Sequence, residues 1–209
     1  MEQRKIPEKE DPRVLRTRHL LLHAFSDLYS EKGFHAMTVQ DLTERAGVNR
    51  GTFYTHFEDK YAILEYWLRE QFQQRVASPV LISGPWNLGT FHVLIQNVVE
   101  WFTQLHQLTR SADRTLIPLV VTTLQEALSE LLLQGLSSVA DAGLDRQVDL
   151  ETVAMVTSWA IFGAGYHYFH YFHQWDKQTV VLSPEELASQ VTRVLMRGLA
   201  QTLPDFPLT

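Results

Sequence analysis

Thr38–Phe57, TVQDLTERAGVNRGTFYTHF, reads as two short helices joined by a tight turn. Thr38 is placed to N-cap the first helix, with Asp41 three residues on as its capping-box partner and Met37 opposite Leu42 as a hydrophobic staple. Val39, Leu42 and Ala46 recur at i, i+3, i+7, which gives that helix one apolar stripe. Gly47 follows where a left-handed residue ends a helix at low cost. Asn49 is a good N-cap for the second helix, and Val48 with Phe53 forms a second staple. On this second helix Phe53 and Phe57 share an inner face, while Arg50, Gly51, Tyr54, Thr55 and His56 point largely elsewhere. A helix-turn-helix whose second helix displays a basic, polar and aromatic face near its N-terminus suits the DNA major groove.

Two helices this short cannot make a core alone, so the flanking sequence must brace them. Asp11-Pro12 supplies an N-cap and a proline at the first helical position. Leu21, Ala24, Phe25, Leu28 and Tyr29 then fall on one face of a helix that stops at Gly33. Asp59 caps a fourth helix, KYAILEYWLREQFQQRV, which leads out of this head. Ser78-Pro79 and Ser83-Gly84-Pro85 place a boundary or long loop near 78–86, and residues 1–10 read as a flexible polar arm. Beyond that, helices are expected over about 87–108, 118–139 (Val121, Leu124, Leu128 and Leu131 on one side), 150–175 and 184–201. ADAGLDRQ reads as a loop, Asp149 as a cap with Val148 and Val153 as a staple, and Ser183-Pro184-Glu185-Glu186 as a capping box. No useful strand-like alternation and no internal repeat occur. The expected fold is all-α: a three-helix helix-turn-helix domain over residues 1–60, then a helical effector-binding and dimerisation domain over residues 61–209.

Composition narrows the function classes. The chain has 209 residues, 45% of them hydrophobic, which is ample for a packed core, and no cysteine. Disulfides, thiolate metal sites and a cysteine nucleophile are thereby excluded, in keeping with a reducing cytoplasm. The charged start, MEQRKIPEKEDPR, has no apolar core of the signal-peptide kind, and no apolar run approaches the ~20 residues that span a bilayer. A cytoplasmic protein with no membrane partner is expected. The net charge of −6 is unevenly shared: residues 1–60 hold ten Lys/Arg and ten Asp/Glu, whereas residues 61–209 hold eight and fourteen. The excess acidity therefore lies outside the head, whose Arg4, Lys5, Arg13, Arg16, Arg18, Arg45, Arg50 and Lys60 are candidates for phosphate contact.

Tyr29-Ser30-Glu31-Lys32-Gly33-Phe34, Thr38-Val39, Ala46-Gly47-Val48, Gly51-Thr52-Phe53-Tyr54, Phe57 and Lys60 together resemble the N-terminal domain of the TetR family of bacterial transcriptional regulators. The resemblance covers roughly residues 13 to 64, about a quarter of the chain. It implies a homodimeric regulator, more often a repressor, that binds a palindromic double-stranded DNA operator and changes affinity when a small molecule enters the body. It also implies that Lys60 contacts a phosphate.

In the recognition helix Arg50 is the candidate reader of guanine or a phosphate, and Gly51 lets backbone approach the DNA. Tyr54 and His56 are placed to clamp phosphates or meet thymine methyls. Thr38, Asn49, Thr52 and Thr55 complete the expected DNA-binding set, Thr38 from a helix N-terminus that favours anions. Two recognition helices must lie ~34 Å apart to enter successive major grooves, so a modest reorientation of the fourth helix would uncouple binding.

In the body Trp101, Phe102, Trp159, Phe162 and Tyr166, with Trp86 and His92 near them in pattern, are candidates to line a pocket for an apolar or aromatic effector. Gly163 and Gly165 together cost ~2 kcal/mol of helix propensity relative to alanine, which suggests a close helix approach. A two-fold seam built from helices 150–175 and 184–201 is the natural place, with His167 beside it. His167, His170 and His173 recur at i, i+3, i+6, a spacing that drifts around a helix and does not bring all three to one ion. No HExxH pattern accompanies them, so aromatic packing is the preferred reading over a metal site. Neighbouring pairs of these histidines could reach one ion, so a histidine-metal enzyme is one alternative and a DNA-binding regulator without a small-molecule effector the other, but no resident metal, cofactor or enzymatic activity is expected.

Overall fold

The computed structural model describes residues 11–77, 81, 84, 86–109, 114–140, 149–174 and 182–202. Among these every regular element is helical: α1 Pro12–Ala36, α2 Val39–Ala46, α3 Arg50–His56, α4 Lys60–Arg75, α5 Leu88–Thr109, a short 3-10 turn Arg114–Leu116, α6 Ile117–Ala140, α7 Leu150–Gln174 and α8 Pro184–Thr202. The proposed arm over residues 1–10, the loop around 141–148 with Val148, and most of 78–85 lie outside the described residues.

Two compact units result, Met1–Trp67 and Leu68–Thr209. The division falls inside α4 and not at the 60/61 boundary read from the capping signal at Asp59. The physical reason is burial. Ile63, Leu64 and Trp67 are nearly inaccessible and belong to the head, where the Trp67 ring lies 5.6 Å from Phe25 and 5.7 Å from Tyr29. Leu68 and Phe72, equally buried, belong to the body, and Phe72 meets Trp101 edge-on at 5.9 Å. A cap marks where a helix begins, not where a core ends.

In the head, Asp11 caps α1 through Arg13 N at 2.8 Å. Leu21, Leu22, Ala24, Phe25 and Leu28 bury one face of α1, and Gly33 breaks it at φ +75°, ψ 170°, a conformation only glycine adopts readily. The body packs α5 against α7 and α8, and α6 against α7. On α6 the fully buried line is Leu124, Leu128, Leu132 and Leu136, an i, i+4 progression. Leu131, expected in that line, is half-buried at its edge. The body half of α4 is tied to α6 by Arg69, which donates to Glu126 at 2.8 Å and to both carboxylate oxygens of Glu130 at 3.1 and 3.0 Å.

Candidate nucleic-acid interface

The turn forms as the local chemistry dictates. Thr38 N donates to Asp41 Oδ2 at 2.7 Å while Asp41 N donates to Thr38 Oγ1 at 3.1 Å, a closed capping box. Gly47 ends α2 in the left-handed region (φ 67°, ψ 32°), and Val48 N returns to Thr43 O at 3.0 Å. Asn49 Oδ1 accepts from Thr52 N at 2.7 Å and from Thr52 Oγ1 at 3.0 Å, starting α3. Phe53 and Phe57 anchor α3 in the core at 0% and 5% exposure. That leaves Arg50, Gly51, Tyr54 and Thr55 exposed on the outer side, with Thr52 and His56 at its margin. Arg50 and Tyr54 meet there: the guanidinium donates to the phenol oxygen at 3.2 Å and lies 5.6 Å from the ring centroid.

Several expected contact residues have work inside the head. Lys60 Nζ donates to Phe34 O at 3.2 Å and Met37 O at 3.1 Å, and sits 4.6 Å over the Phe34 ring. It pins the end of α1 to the start of α4, a role the phosphate reading of this lysine did not include. Arg45, counted among the candidate phosphate contacts, forks onto Glu31 with two bonds of 2.8 Å. Thr38 Oγ1 donates to Asp41 at 2.7 Å, and Thr55 Oγ1 to Thr52 O at 2.7 Å, so both hydroxyl protons are committed locally. Asn49 and Thr52 serve each other as cap and capped residue. Arg4 and Lys5 lie outside the described residues.

The residues that sequence reasoning missed are the ionic partners across α1 and α2. Lys32 lies 2.8 Å from Asp41. Its ammonium, together with the hydroxyl and amide of Thr38, holds the Asp41 carboxyl well below the usual carboxylate range. The Arg45 guanidinium likewise lowers Glu31. These pairs join residues far apart in sequence (Glu31 with Arg45, Lys32 with Asp41), so no helical spacing announces them.

In the body, Trp101, Phe102 and Phe162 are buried. Phe102 meets Phe162 at 5.1 Å, and Phe162 stacks on Tyr166 at 6.2 Å, so four of the five proposed effector-lining rings form one cluster. Trp159 departs from it: the ring touches Phe162 edge-on at 6.1 Å, but the residue is 51% exposed. Gly165 and Gly163, two residues apart on a helix, face different ways. A Cβ on Gly165 would come within 2.6 Å of Phe102 Cδ2, so this glycine admits a ring of its own chain. Gly163 is exposed, with nothing within 4 Å of its Cβ position, and His167 is exposed on the same helix. The side chains of His170 and His173 lie outside the described residues.

Two buried polar contacts in the body carried no sequence signal. Gln125 Nε2 donates to Ser158 Oγ at 2.9 Å between α6 and α7, and Ser158 Oγ donates on to Met155 O at 2.8 Å. Between α5 and α8, Thr192 Oγ1 spends its proton on Ala188 O at 2.7 Å. It therefore accepts from His92 Nδ1, 3.3 Å away, which places a proton on that nitrogen.

Residues 21–66 match the family described as bacterial regulatory proteins, tetR family. Over 82 aligned positions, which cover 37% of the chain, it is 34% identical to an uncharacterised HTH-type transcriptional regulator of Bacillus subtilis, YxbF, but spans only 22% of that relative's length. Over 201 aligned positions, 88% of the chain and 91% of the relative, it is 22% identical to the HTH-type transcriptional repressor KstR2 of Mycolicibacterium smegmatis. Among solved structures it is similar to a TetR-family regulator from Streptomyces coelicolor (TM-score 0.58, 16% identity, 91% of this chain and 98% of that one). It is also similar to Thermus thermophilus FadR, a TetR-family repressor solved in complex with lauroyl-CoA (TM-score 0.55, 20% identity, 87% and 94% covered).

Proposed function

Because the chain belongs to the TetR family of transcriptional regulators, we propose that it is a repressor that binds a palindromic operator and leaves it when a small molecule enters the body. The observation that carries the DNA-binding half is the outer face of α3. A seven-residue helix is held rigidly by Asn49, Phe53 and Phe57, and it offers Arg50, Gly51, Tyr54 and Thr55 to the outside. Selection from a random DNA pool with the full chain, followed by a footprint on the DNA flanking its own gene, tests it. A two-fold symmetric site with half-sites one helical turn or a multiple apart is expected. Binding without sequence preference refutes the operator reading.

The effector half is supported by the ring cluster of Phe102, Phe162 and Tyr166 and by a fold shared with a regulator solved with an acyl-CoA. Such a cluster suits an apolar or aromatic ligand, and a thermal-shift screen of apolar acids, their thioesters and aromatic compounds tests for one. A regulator governed only by abundance or a protein partner would show no shift with any of them.

The dimer is proposed to form through α7 and α8. On these helices Met155, Val156, Trp159 and Val194 are 46%, 57%, 51% and 72% exposed, and Gly163 and Gly198 leave open space beside them. An obligate seam of this kind commonly buries more than ~2,000 Å². Gly163→Arg is the informative substitution, because it leaves the protomer's own packing intact. Monomers with weakened operator binding are expected in sedimentation, and an unaltered dimer excludes this seam. Gly165→Arg would instead strike Phe102 within one chain.

A further inference from the structure

We infer that Tyr54 is a positioning residue for Arg50, so that the two side chains read one base position as a single unit. This rests on the proposed recognition role of α3 and deepens it.

The two residues are one helical turn apart and meet twice: a hydrogen bond from guanidinium to phenol oxygen of 3.2 Å, and a guanidinium carbon 5.6 Å from the ring centroid. The Tyr54 ring is itself braced. It packs at 89° against Phe53, 5.4 Å away, and Phe53 is 0% exposed. A chain of contact therefore runs from the fully buried Phe53, through the Tyr54 ring, to the Arg50 guanidinium.

The consequence for recognition is one of preorganisation. A free arginine side chain samples many rotamers and loses that freedom on binding. The phenol oxygen takes one of the two hydrogens on Arg50 Nη2, and the other, with a hydrogen of a neighbouring guanidinium nitrogen, still forms a parallel pair. An arginine that presents two parallel donors matches the O6 and N7 acceptors of guanine in the major groove. Tyr54 thus contributes to guanine selectivity without touching the base. A tyrosine in direct contact with phosphate behaves differently, since backbone contacts carry no sequence information and their loss weakens all sites alike.

Two arms test this on the full chain. In the first, without DNA, the order of the Arg50 Nε–H vector is measured by nitrogen-15 relaxation in the wild type, Tyr54→Phe and Tyr54→Leu. Order should fall modestly in Tyr54→Phe, which keeps the ring, and to the level of an unrestrained surface arginine in Tyr54→Leu. Unchanged order in Tyr54→Leu overturns the proposal. In the second arm, DNA selected by the wild type is compared with that selected by the same variants and by Arg50→Ala. Guanine preference at one position per half-site should drop roughly 3- to 10-fold in Tyr54→Phe, the worth of one hydrogen bond with the cation–π contact kept. Tyr54→Leu should approach Arg50→Ala at that position, with preferences elsewhere kept, and Arg50→Ala/Tyr54→Phe should look like Arg50→Ala alone. Uniform weakening with the guanine preference intact places Tyr54 on phosphate and overturns the proposal. If the wild type selects no DNA, the operator reading fails, and the relaxation arm still decides whether Tyr54 holds Arg50.

Discussion

Lys60→Met separates two accounts of one residue. The resemblance to known regulators assigns Lys60 to a phosphate, whereas in the structure its ammonium lies 3.2 Å from Phe34 O, 3.1 Å from Met37 O and 4.6 Å over the Phe34 ring. Methionine keeps the apolar stem and removes the charge and both donors. A hydrogen bond from a charged donor contributes ~1.5–3 kcal/mol, and a cation–π contact near the surface ~0.5–1 kcal/mol. Lys60 is half-exposed, and Phe34 O also accepts from Met37 N at 3.3 Å, so the low end applies. About 2 kcal/mol is expected. For a unit the size of the head this lowers the melting transition by on the order of 10 °C. Circular dichroism of the full chain reads the melting, and hydrogen exchange at residues 34–38 localises the loss to the joint between α1 and α2. The reasoning is refuted if Lys60→Met melts and exchanges like the wild type while its operator affinity loses about one unit of salt slope. That pattern belongs to a lysine that touches only phosphate.

Phe53→Ala is expected to unfold the head by opening a cavity worth ~3–5 kcal/mol beneath α3, visible as lost protection of head amides with the body intact. Gly165→Ala adds a Cβ 2.6 Å from Phe102; overpacking of ~1–3 kcal/mol outweighs the ~1 kcal/mol gain in helix propensity, so the body should melt lower, and Phe102→Leu in the same chain should restore much of the loss. Gly135→Ala, whose Cβ would fall within the Trp86 ring, should be worse still, with Trp86 forced from its site and its indole emission red-shifted. Asp41 is held below its ordinary value chiefly by Lys32 and then by Thr38. As pH falls the unfolded chain therefore takes up this proton first, near ~3.9. The contribution of Asp41 is complete above that value and drains away below it, so in acid titrations Asp41→Asn should show a shallower loss of head stability under pH 4 than the wild type.

Sequence alone determined the helix-turn-helix, because everything that builds it is local. Thr38 with Asp41, Gly47, and Asn49 with Thr52 are caps and a turn whose partners lie within three to five residues, and the 3.6-residue period of Phe53 and Phe57 fixes which face of α3 looks outward. The ends of the body helices were legible for the same reason. What the tertiary structure decided is how side chains far apart in sequence divide the work. Lys60 looks like a surface cation in sequence, yet the end of α1 and its cap, brought beside it only by folding, take two of its donors inward. Arg45 is likewise claimed by Glu31. Gly163 and Gly165 read as one glycine pair, but the helix turns them to different neighbours, Phe102 for one and open space for the other. The boundary inside α4 was hidden as well, since a continuous helix carries no mark where the core it serves changes from one unit to the next. Local hydrogen bonds and periodicity are written in sequence order, whereas burial and ion pairing depend on which segments the fold brings together.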